Sequence, residues 1–208
     1  MPRAGLSTAS VVAAAAEIAD AEGLEGLTLA RLSAAVGVRT PSLYNHVGSL
    51  DDVRRRVALV ALEELAGAMR AAAVGRARDD ALGAMAAAYR DYARRHPGRY
   101  AATQRAPGDG DDALVGVATE AVDVVLAILR GYGLEGEDAI HAARAVRSAL
   151  HGFVALETGG GFGIPVDLDE SFRRMVAALA RGLAGRGQLD AEGRRAVSDS
   201  GRAGSSSA

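Results

Sequence analysis

A cluster of six hydrogen-bonding side chains lies within the eight consecutive positions from Arg39 to His46. Asn45 carries a donor and an acceptor on one amide, which matches the paired donor and acceptor on the major-groove edge of adenine. Arg39 can pair in the same way with guanine, or it can grip a phosphate. Such side chains indicate recognition of nucleic acid by contacts to base edges and backbone. The alternative is that they form only the polar face of a surface helix.

A first short helix is predicted directly before this cluster. Leu29, Leu32 and Val36 are spaced three and four residues apart, which places them on one helix face. Thr28 can cap the start of this helix with its hydroxyl group. Gly37 is predicted to end it, because only glycine adopts the left-handed conformation of a C′ position without a Cβ penalty.

A second helix is predicted to begin at once and to carry the cluster. Thr40 offers a hydroxyl cap, and Pro41 suits the first helical position, where no amide donor is needed. The inner face is narrow, since it consists of Leu43 and Val47, and Asn45 points directly away from it. A helix with so little apolar surface indicates a presented element, as in a helix-turn-helix whose second helix enters the DNA major groove.

The stretch from Gly37 to Ser49, GVRTPSLYNHVGS, resembles the DNA-binding signature of the tetracycline-repressor (TetR) family of bacterial transcription regulators. Upstream matches to the same family pattern are Ala15, Ile18, Ala19, Gly23, Leu27-Thr28-Leu29 and Leu32-Ser33. The chain departs from the family at Val47, where many members have Phe, and at Leu50, where a Lys commonly touches phosphate. Arg54 and Arg55 are the candidates to replace that lysine.

The resemblance implies that double-stranded operator DNA is the partner, with Tyr44 and His46 contacting phosphates. The full set of predicted DNA-binding residues is Thr28, Arg39, Thr40, Pro41, Ser42, Tyr44, Asn45, His46 and Arg54.

The second half of the chain resembles a TetR subgroup whose C-terminal domain carries a Trp-His-Gly signature. The matching segments are His96–Tyr100 and Leu150–Phe153, with Leu150 in place of the Trp. The resemblance implies that the last two helices pair with those of a second copy in a four-helix interface, and that an unidentified small-molecule effector binds among helices 5 to 8. Candidate lining residues are Met85, Tyr89, Tyr92, Tyr100, Gln104, Arg147, His151 and Phe153. The alternative is ordinary core packing, since apolar residues at helical spacing usually form a core.

The whole chain is predicted to be all-α, with no strand. Helices are expected near residues 8–22, over the two elements above, from a capping-box-like start at Ser49 and Asp52 to about Ala73, from Asp79 to Pro97, and near 112–132, 137–158 and 168–184, with a short helical or irregular piece at 99–106. In the first of these helices, Val11, Val12, Ala15, Ile18 and Ala19 are expected to face inward. The predicted domains are a helix-turn-helix head (1–50), a connecting helix (51–73) and a ligand-binding and dimerisation body (74–184). Residues 1–6 are expected to form a loose arm and residues 185–208 a disordered tail.

Composition sets limits on the function. The 208 residues have a net charge of −2, and residues 1–60 contain six Arg against six acids, which excludes a uniformly basic domain. Few phosphate contacts imply modest affinity per protomer and favour a dimer that binds two half-sites. The absence of Cys excludes disulfides and thiolate metal sites. No signal peptide or membrane span is predicted, so a cytoplasmic location is expected.

Catalytic and metal chemistry are not indicated. The chain has no Gly-x-Ser-x-Gly elbow and no Glu-x-x-His pair, and Asp138 with His141 is a single partial match to a di-iron motif. No cofactor, metal or enzymatic activity is therefore expected. The predicted function is a DNA-binding transcriptional regulator, a repressor that binds a palindromic operator as a homodimer and is released by a ligand. The alternatives are a helical-bundle carrier or enzyme whose head is only structural, and a constitutive DNA-binding protein without a ligand.

Overall fold

The computed structural model describes residues 6–203, with side chains described for residues 6–185. Over this part of the chain every regular element is a helix, which confirms the predicted all-α class. The helices are α1 (Thr8–Gly26), α2 (Leu29–Ala35), α3 (Thr40–Leu43), α4 (Leu50–Ala73), α5 (Arg78–Arg95), α6 (Pro97–Ala102), α7 (Asp112–Arg130), α8 (Gly136–Thr158) and α9 (Leu168–Ala203).

Local sequence signals explain most of these boundaries. Ser7 and Ser10 form a reciprocal capping box at the start of α1, and the Thr28 hydroxyl accepts a hydrogen bond from the Arg31 amide at the start of α2. α1 continues past the predicted end near residue 22, but Gly23 interrupts it with non-helical backbone. Pro97 opens α6 two residues earlier than the predicted piece, because proline suits the first turn of a helix.

The end of α9 is a correction to the prediction. Its backbone remains helical to Ala203, whereas the helix was expected to stop near residue 184 and to be followed by a disordered tail. Residues 185–203 contain no proline and several good helix formers, including Leu189, Ala191 and Glu192, so nothing in the sequence forces a stop. The ends of the predicted arm and tail, residues 1–5 and 204–208, lie outside the described residues.

The first of two compact units comprises the chain up to Ala68 together with Ala88–Ala121. Its core is formed by fully or almost fully buried apolar side chains from the helices of the predicted head and from α4, α6 and α7. Examples are Val11, Leu32, Leu43, Val57 and Leu114. The prediction that Val11, Val12, Ala15, Ile18 and Ala19 face inward from α1 is confirmed.

The second compact unit comprises Met69–Ala87 and the chain from Val122 onward. α8 packs on α9, and the buried stripe of α8 includes Val146, Leu150 and Phe153. At the start of α5, the Tyr132 hydroxyl donates to Asp79 Oδ1 at 2.7 Å, and Arg78 stacks over the Tyr132 ring. The divisions between the two units fall inside α4, α5 and α7, so they do not coincide with the predicted domain boundaries at residues 50 and 73. Those boundaries stay predictions.

Candidate nucleic-acid interface

The turn between α2 and α3 has the geometry that the sequence predicts. Gly37 adopts a φ of 71°. Its amide donates to the Ala34 carbonyl at 3.2 Å, and the Val38 amide donates to the Ser33 carbonyl at 3.0 Å. These two bonds form a Schellman motif, which ends α2 and turns the chain directly into α3.

The α3 segment is anchored by only two apolar side chains. Leu43 and Val47 are buried, and the His46 and Val47 amides both donate to the Leu43 carbonyl, so helical turns continue beyond Leu43. The prediction that this pair forms the inner face is confirmed. The rest of the segment is held outward because it has nothing else to bury.

The predicted role of Thr40 as a helix cap is wrong. α3 begins at Thr40 itself, with Arg39 in the cap position and no side-chain capping bond. The Thr40 and Ser33 hydroxyl oxygens lie 3.1 Å apart, so Thr40 links α2 to α3 instead. Pro41 occupies the first turn, as predicted.

The predicted DNA-binding residues of this segment share one presented stretch. Arg39, Pro41, Tyr44 and Asn45 are exposed, and the remaining members, Thr40, Ser42 and His46, are half-buried. Tyr44 is 56% exposed, an unusual amount for a large aromatic side chain in a small domain. Thr28 is also exposed, although its hydroxyl is engaged as the α2 cap. These positions fit DNA contact, and the contacts themselves stay a prediction.

The arginines at the start of α4 are bound to the protein itself. Arg54 donates from Nη2 to the Leu24 carbonyl at 3.2 Å, and its Nε is buried without a hydrogen-bond partner. Arg55 pairs with Asp111, and Arg56 pairs with Asp52. Neither predicted replacement for the family's lysine, Arg54 or Arg55, therefore extends freely from the head.

The first turn of α4 is a compact polar network. Ser49 Oγ accepts the Asp52 amide at 3.0 Å, which confirms the predicted cap, and Asp52 Oδ2 accepts the amide of Gly48, one residue before the cap, at 2.9 Å, so the arrangement resembles a capping box without being the reciprocal one. Burial alone would raise the pKa of Asp52, but the hydrogen bonds from Gly48 and Arg56 outweigh it and hold that pKa below its usual value.

Two ion pairs join α4 to the segment between α6 and α7. Arg105 donates through Nη1 and Nη2 to both carboxylate oxygens of Asp51, at 2.8 and 2.9 Å. Arg55 makes a similar two-pronged pair with Asp111. Its hydrogen bond holds the pKa of Asp111 below the usual value against the opposing effect of desolvation, helped by the Leu114 amide and the charge of Arg105. Sequence reasoning missed Arg105 and Asp111, because no local pattern relates residues more than 50 positions apart.

The junction of α1 and α6 was also missed. Asp20 accepts the Arg99 amide at 2.8 Å and lies 3.1 Å from His96 Nδ1. Gly98 sits so close to α1 that a Cβ atom there would lie 1.9 Å from the Ala19 carbonyl oxygen. The His-Pro-Gly-Arg segment therefore docks α6 backbone against α1 backbone.

The predicted effector-binding residues are distributed over both units. In the first unit, the Tyr89 and Tyr100 hydroxyl oxygens lie 2.8 Å apart, and Tyr92 donates to Glu64 at 2.9 Å. Burial, followed by the bond to Glu64, raises the pKa of Tyr92. Gln104 donates to the Thr103 hydroxyl at 2.8 Å.

In the second unit, Met85 is fully buried and the Phe153 ring packs against Phe162 and Phe172. Arg147 is exposed and His151 is half-buried. Whether the eight residues line one effector pocket stays a prediction.

A groove of about 460 Å³ lies between α1 and α4 within the first unit. Val12, Ala16, Leu59 and Val60 contribute its apolar walls. Among the side chains of residues 6–185, no group of three His, Cys, Asp or Glu is placed to hold a metal ion. No helix in the described part of the chain is long and apolar enough to cross a membrane.

Comparisons with known proteins agree on one family. A family model described as "Tetracyclin repressor-like, C-terminal domain" matches residues 82–179. The chain is 46% identical over 181 residues to the HTH-type transcriptional regulator Rv0681 of Mycobacterium tuberculosis, covering 86% of this chain and 83% of that protein. It is 38% identical over 182 residues to the HTH-type regulator YobS of Bacillus subtilis, covering 88% and 95%.

A solved structure shares the fold together with moderate sequence identity. The structure of BioQ with its double-stranded DNA operator superposes with a TM-score of 0.65 at 26% identity, covering 86% of this chain and 99% of that one; BioQ has also been solved as the Mycobacterium smegmatis protein.

The fold and the presented helix-turn-helix define a transcription regulator, and the chain belongs to the TetR family. It is a DNA-binding transcriptional regulator. Its relatives and its family are regulators and not enzymes, so the alternative of a carrier or enzyme with a structural head finds no support among them.

Proposed function

We propose that this protein is a repressor that binds a (pseudo)palindromic operator as a homodimer and is released by a small-molecule effector. The observation that carries the proposal is the α3 segment, whose Arg39, Tyr44 and Asn45 are exposed while Leu43 and Val47 anchor it from behind. A two-fold dimer presents two such segments, so the site that it binds is expected to be an inverted repeat.

Base reading belongs to Asn45 and Arg39 in this proposal, because amide and guanidinium groups form two-pronged bonds with adenine and guanine. Contacts to the DNA backbone are assigned to Tyr44 and His46. The hydroxyl groups of Thr28, Thr40 and Ser42 and the ring of Pro41 complete this backbone-contacting set. Arg54 has a weaker case, since its guanidinium already bonds to Leu24. The BioQ structure with its operator supports DNA binding by a chain of this fold.

A second copy is expected to pack on α8 and α9. Large apolar side chains remain exposed on α8 and on the segment that follows it, namely Ile140, Leu156, Phe162, Ile164 and Val166. Exposed apolar side chains that form one patch commonly mark an interface. The family resemblance points to the same two helices.

The effector is expected to bind in the body, and within the first compact unit the candidate residues Tyr89, Tyr100 and Gln104 supply hydroxyl and amide groups. Buried aromatic walls with a few hydroxyl and amide groups suit an amphiphilic small molecule. Release of DNA requires that the effector bind the DNA-free state more tightly than the DNA-bound state. We place the body in the Trp-His-Gly subgroup, on the strength of Leu150–Phe153 and His96–Tyr100. A regulator that binds operator DNA would act in the cytoplasm.

The proposal is tested with Asn45→Ala and Tyr44→Ala in a gel-shift assay on DNA that the wild-type protein selects. Both side chains are exposed, so the variants should fold and assemble like wild type. Loss of one two-pronged base contact costs about 1–3 kcal/mol, and a homodimer loses two, so Asn45→Ala should bind about 30-fold more weakly or worse. Thr119→Ala, an exposed change on α7, is the matched control. Unchanged binding by both head variants would overturn the proposal.

A further inference from the structure

The first turn of α4 is acidic where a DNA-binding surface should not be. Asp51 and Asp52 follow the presented segment by only a few residues. Negative charge at a helix N-terminus is stabilising for the helix, but two carboxylates beside a recognition element would repel the phosphates of a bound duplex. Leu50 offers no compensation, because its side chain packs against the core.

The structure neutralises both carboxylates with arginines. Asp52 is held by Arg56 and by the Gly48 amide. Asp51 is held by Arg105, which reaches α4 from the segment after α6. Arg105 thus places a cation beside the first turn of α4, although in the sequence it lies far beyond the end of the predicted DNA-binding head (1–50).

Arg105 keeps spare hydrogen-bonding capacity in this position. A guanidinium has five N–H donors, and the pair with Asp51 uses two of them. The Arg105 side chain is 40% exposed, and that of Arg56 is 39% exposed. Arg56 is bonded to Asp52 four residues back on its own helix, whereas Arg105 is bonded to Asp51, which is itself 67% exposed. As whole residues, Arg54, Arg55 and Arg56 are half-buried and Arg105 is exposed, so Arg105 is the most exposed of these four arginines.

We propose that Arg105 is a DNA-binding residue, which screens Asp51 and contacts an operator phosphate at the first turn of α4. The inference rests on the proposed operator binding by α3. It extends the DNA-binding surface to the α6–α7 segment, which the sequence alone does not connect with the head. A phosphate contact positions the protein without reading sequence, so Arg105 contributes affinity rather than specificity.

The test measures binding as a function of salt on two duplexes, the strongest sequence selected by the wild-type protein and a scrambled duplex of equal length. The variants are Arg105→Ala, Arg105→Lys, Asp51→Ala and the double variant Asp51→Ala/Arg105→Ala. Arg130→Ala is the control, because Arg130 is an exposed arginine at the end of α7, outside the proposed DNA-binding and dimer surfaces, and its replacement removes the same charge. Circular dichroism and mass measurements establish that each variant is folded and has the wild-type mass.

Arg105→Ala should weaken binding to both duplexes and flatten the salt dependence. Each lost phosphate contact reduces the slope of log K against log salt by about 0.9, or about 1.8 for a dimer. Between about 50 and 200 mM salt, the affinity of the wild-type protein should therefore fall about 12-fold more than the affinity of the variant. Arg105→Lys should keep most of the slope, and Arg130→Ala should leave it unchanged.

The double variant separates a phosphate contact from simple screening. If Arg105 contacts phosphate, Asp51→Ala binds DNA at least as well as wild type, and adding Arg105→Ala weakens binding again. A double variant equal to Asp51→Ala would overturn the phosphate contact, as would a wild-type slope in Arg105→Ala. Wild-type protein that binds neither duplex would overturn the proposed function and this inference together. Wild-type binding that is lost in Asn45→Ala but unaffected in Arg105→Ala would overturn only the inference.

Discussion

Single residues decide how α6 meets α1. Gly98 is the contact point, because its α-carbon faces the Ala19 carbonyl with no room for a side chain. Asp20 binds the neighbouring Arg99 amide and so fixes the start of α6 in the same place. This junction depends on backbone proximity, which side-chain rearrangement cannot relieve.

Gly98→Ala is therefore expected to destabilise the protein. A methyl group 1.9 Å from a carbonyl oxygen forces the helices apart, and overpacking of this kind typically costs about 1–3 kcal/mol. The measurement is the free energy of unfolding in urea. Gly116→Ala on α7 is the control, since a Cβ atom there meets nothing within 4 Å and alanine favours a helix interior by about 0.8–1 kcal/mol. Equal effects in the two variants would contradict the tight junction.

The pair of Arg55 and Asp111 makes stability depend on pH. Arg55 lowers the pKa of folded Asp111, so the pair stabilises the fold above the unfolded pKa, about 3.9. That contribution is lost as the pH falls through the lower folded pKa. Asp111→Asn should therefore lower Tm at neutral pH, and its difference from wild type should shrink between about pH 5 and pH 2.

Asp109→Asn, in the same segment, is the control for Asp111→Asn and should leave Tm almost unchanged at every pH. A deficit of Asp111→Asn that stays constant as the pH falls would show that the carboxylate charge is not its cause.

At the scale of elements, the α2–α3 unit depends on its turn. The Schellman bonds and the positive φ of Gly37 direct the chain into α3 immediately. A longer connection would let α3 move relative to α2, and the Thr40–Ser33 hydroxyl contact would be lost. The presentation of Tyr44 and Asn45 thus follows from backbone geometry at one position.

Gly37→Ala tests this dependence. A left-handed conformation costs a non-glycine residue about 1–2 kcal/mol, and Asn tolerates it better than Ala does. The free energy of unfolding should fall in the order wild type, Gly37→Asn, Gly37→Ala, with operator affinity following the same order. A reversed order of Asn and Ala would show that the left-handed conformation is not what position 37 requires.

The elements were predictable where the controlling signals are local. Helical spacing identified the buried face of α1, and Thr28, Gly37 and Ser49 marked helix ends through bonds to residues at most four positions away. The family motif identified α3 from contiguous residues. The role of Thr40 was missed, because a hydroxyl group can cap a helix or bridge to Ser33, and only packing decides between them.

Long-range partners were not predictable. The pairs Asp51–Arg105, Arg55–Asp111 and Asp20–Arg99 join distant parts of the chain, and a single sequence contains no signal that matches one charge with another. The extent of α9 was missed for a different reason. Its last third is rich in glycine and charge, which suggests disorder, yet it also lacks any residue that strictly breaks a helix.

For the whole molecule, a net charge close to zero makes assembly into a dimer important for DNA affinity. A chain of net charge −2 has little general attraction for DNA, so affinity must come from a few placed contacts repeated in a dimer. Each protomer then contributes one α3 segment and, by our inference, one Arg105.

Leu156→Glu is expected to weaken the homodimer. Leu156 is 50% exposed on α8, and a charge buried without a partner in an apolar interface is strongly unfavourable. Light scattering should give about twice the 21.2 kDa chain mass for wild type and a lower mass for the variant. Val74→Glu, at an exposed valine after α4, is the control and should remain dimeric. A dimeric Leu156→Glu would exclude this part of α8 from the interface.

The most direct test of the central claim is selection of bound DNA from a random pool by the purified wild-type protein at low salt. We expect enrichment of one inverted repeat, because two copies of α3 read two half-sites of the same sequence in opposite orientations. We also expect that Asn45→Ala fails to enrich that sequence. Absence of any enriched sequence, from protein shown to be folded and dimeric, would contradict operator binding by this chain.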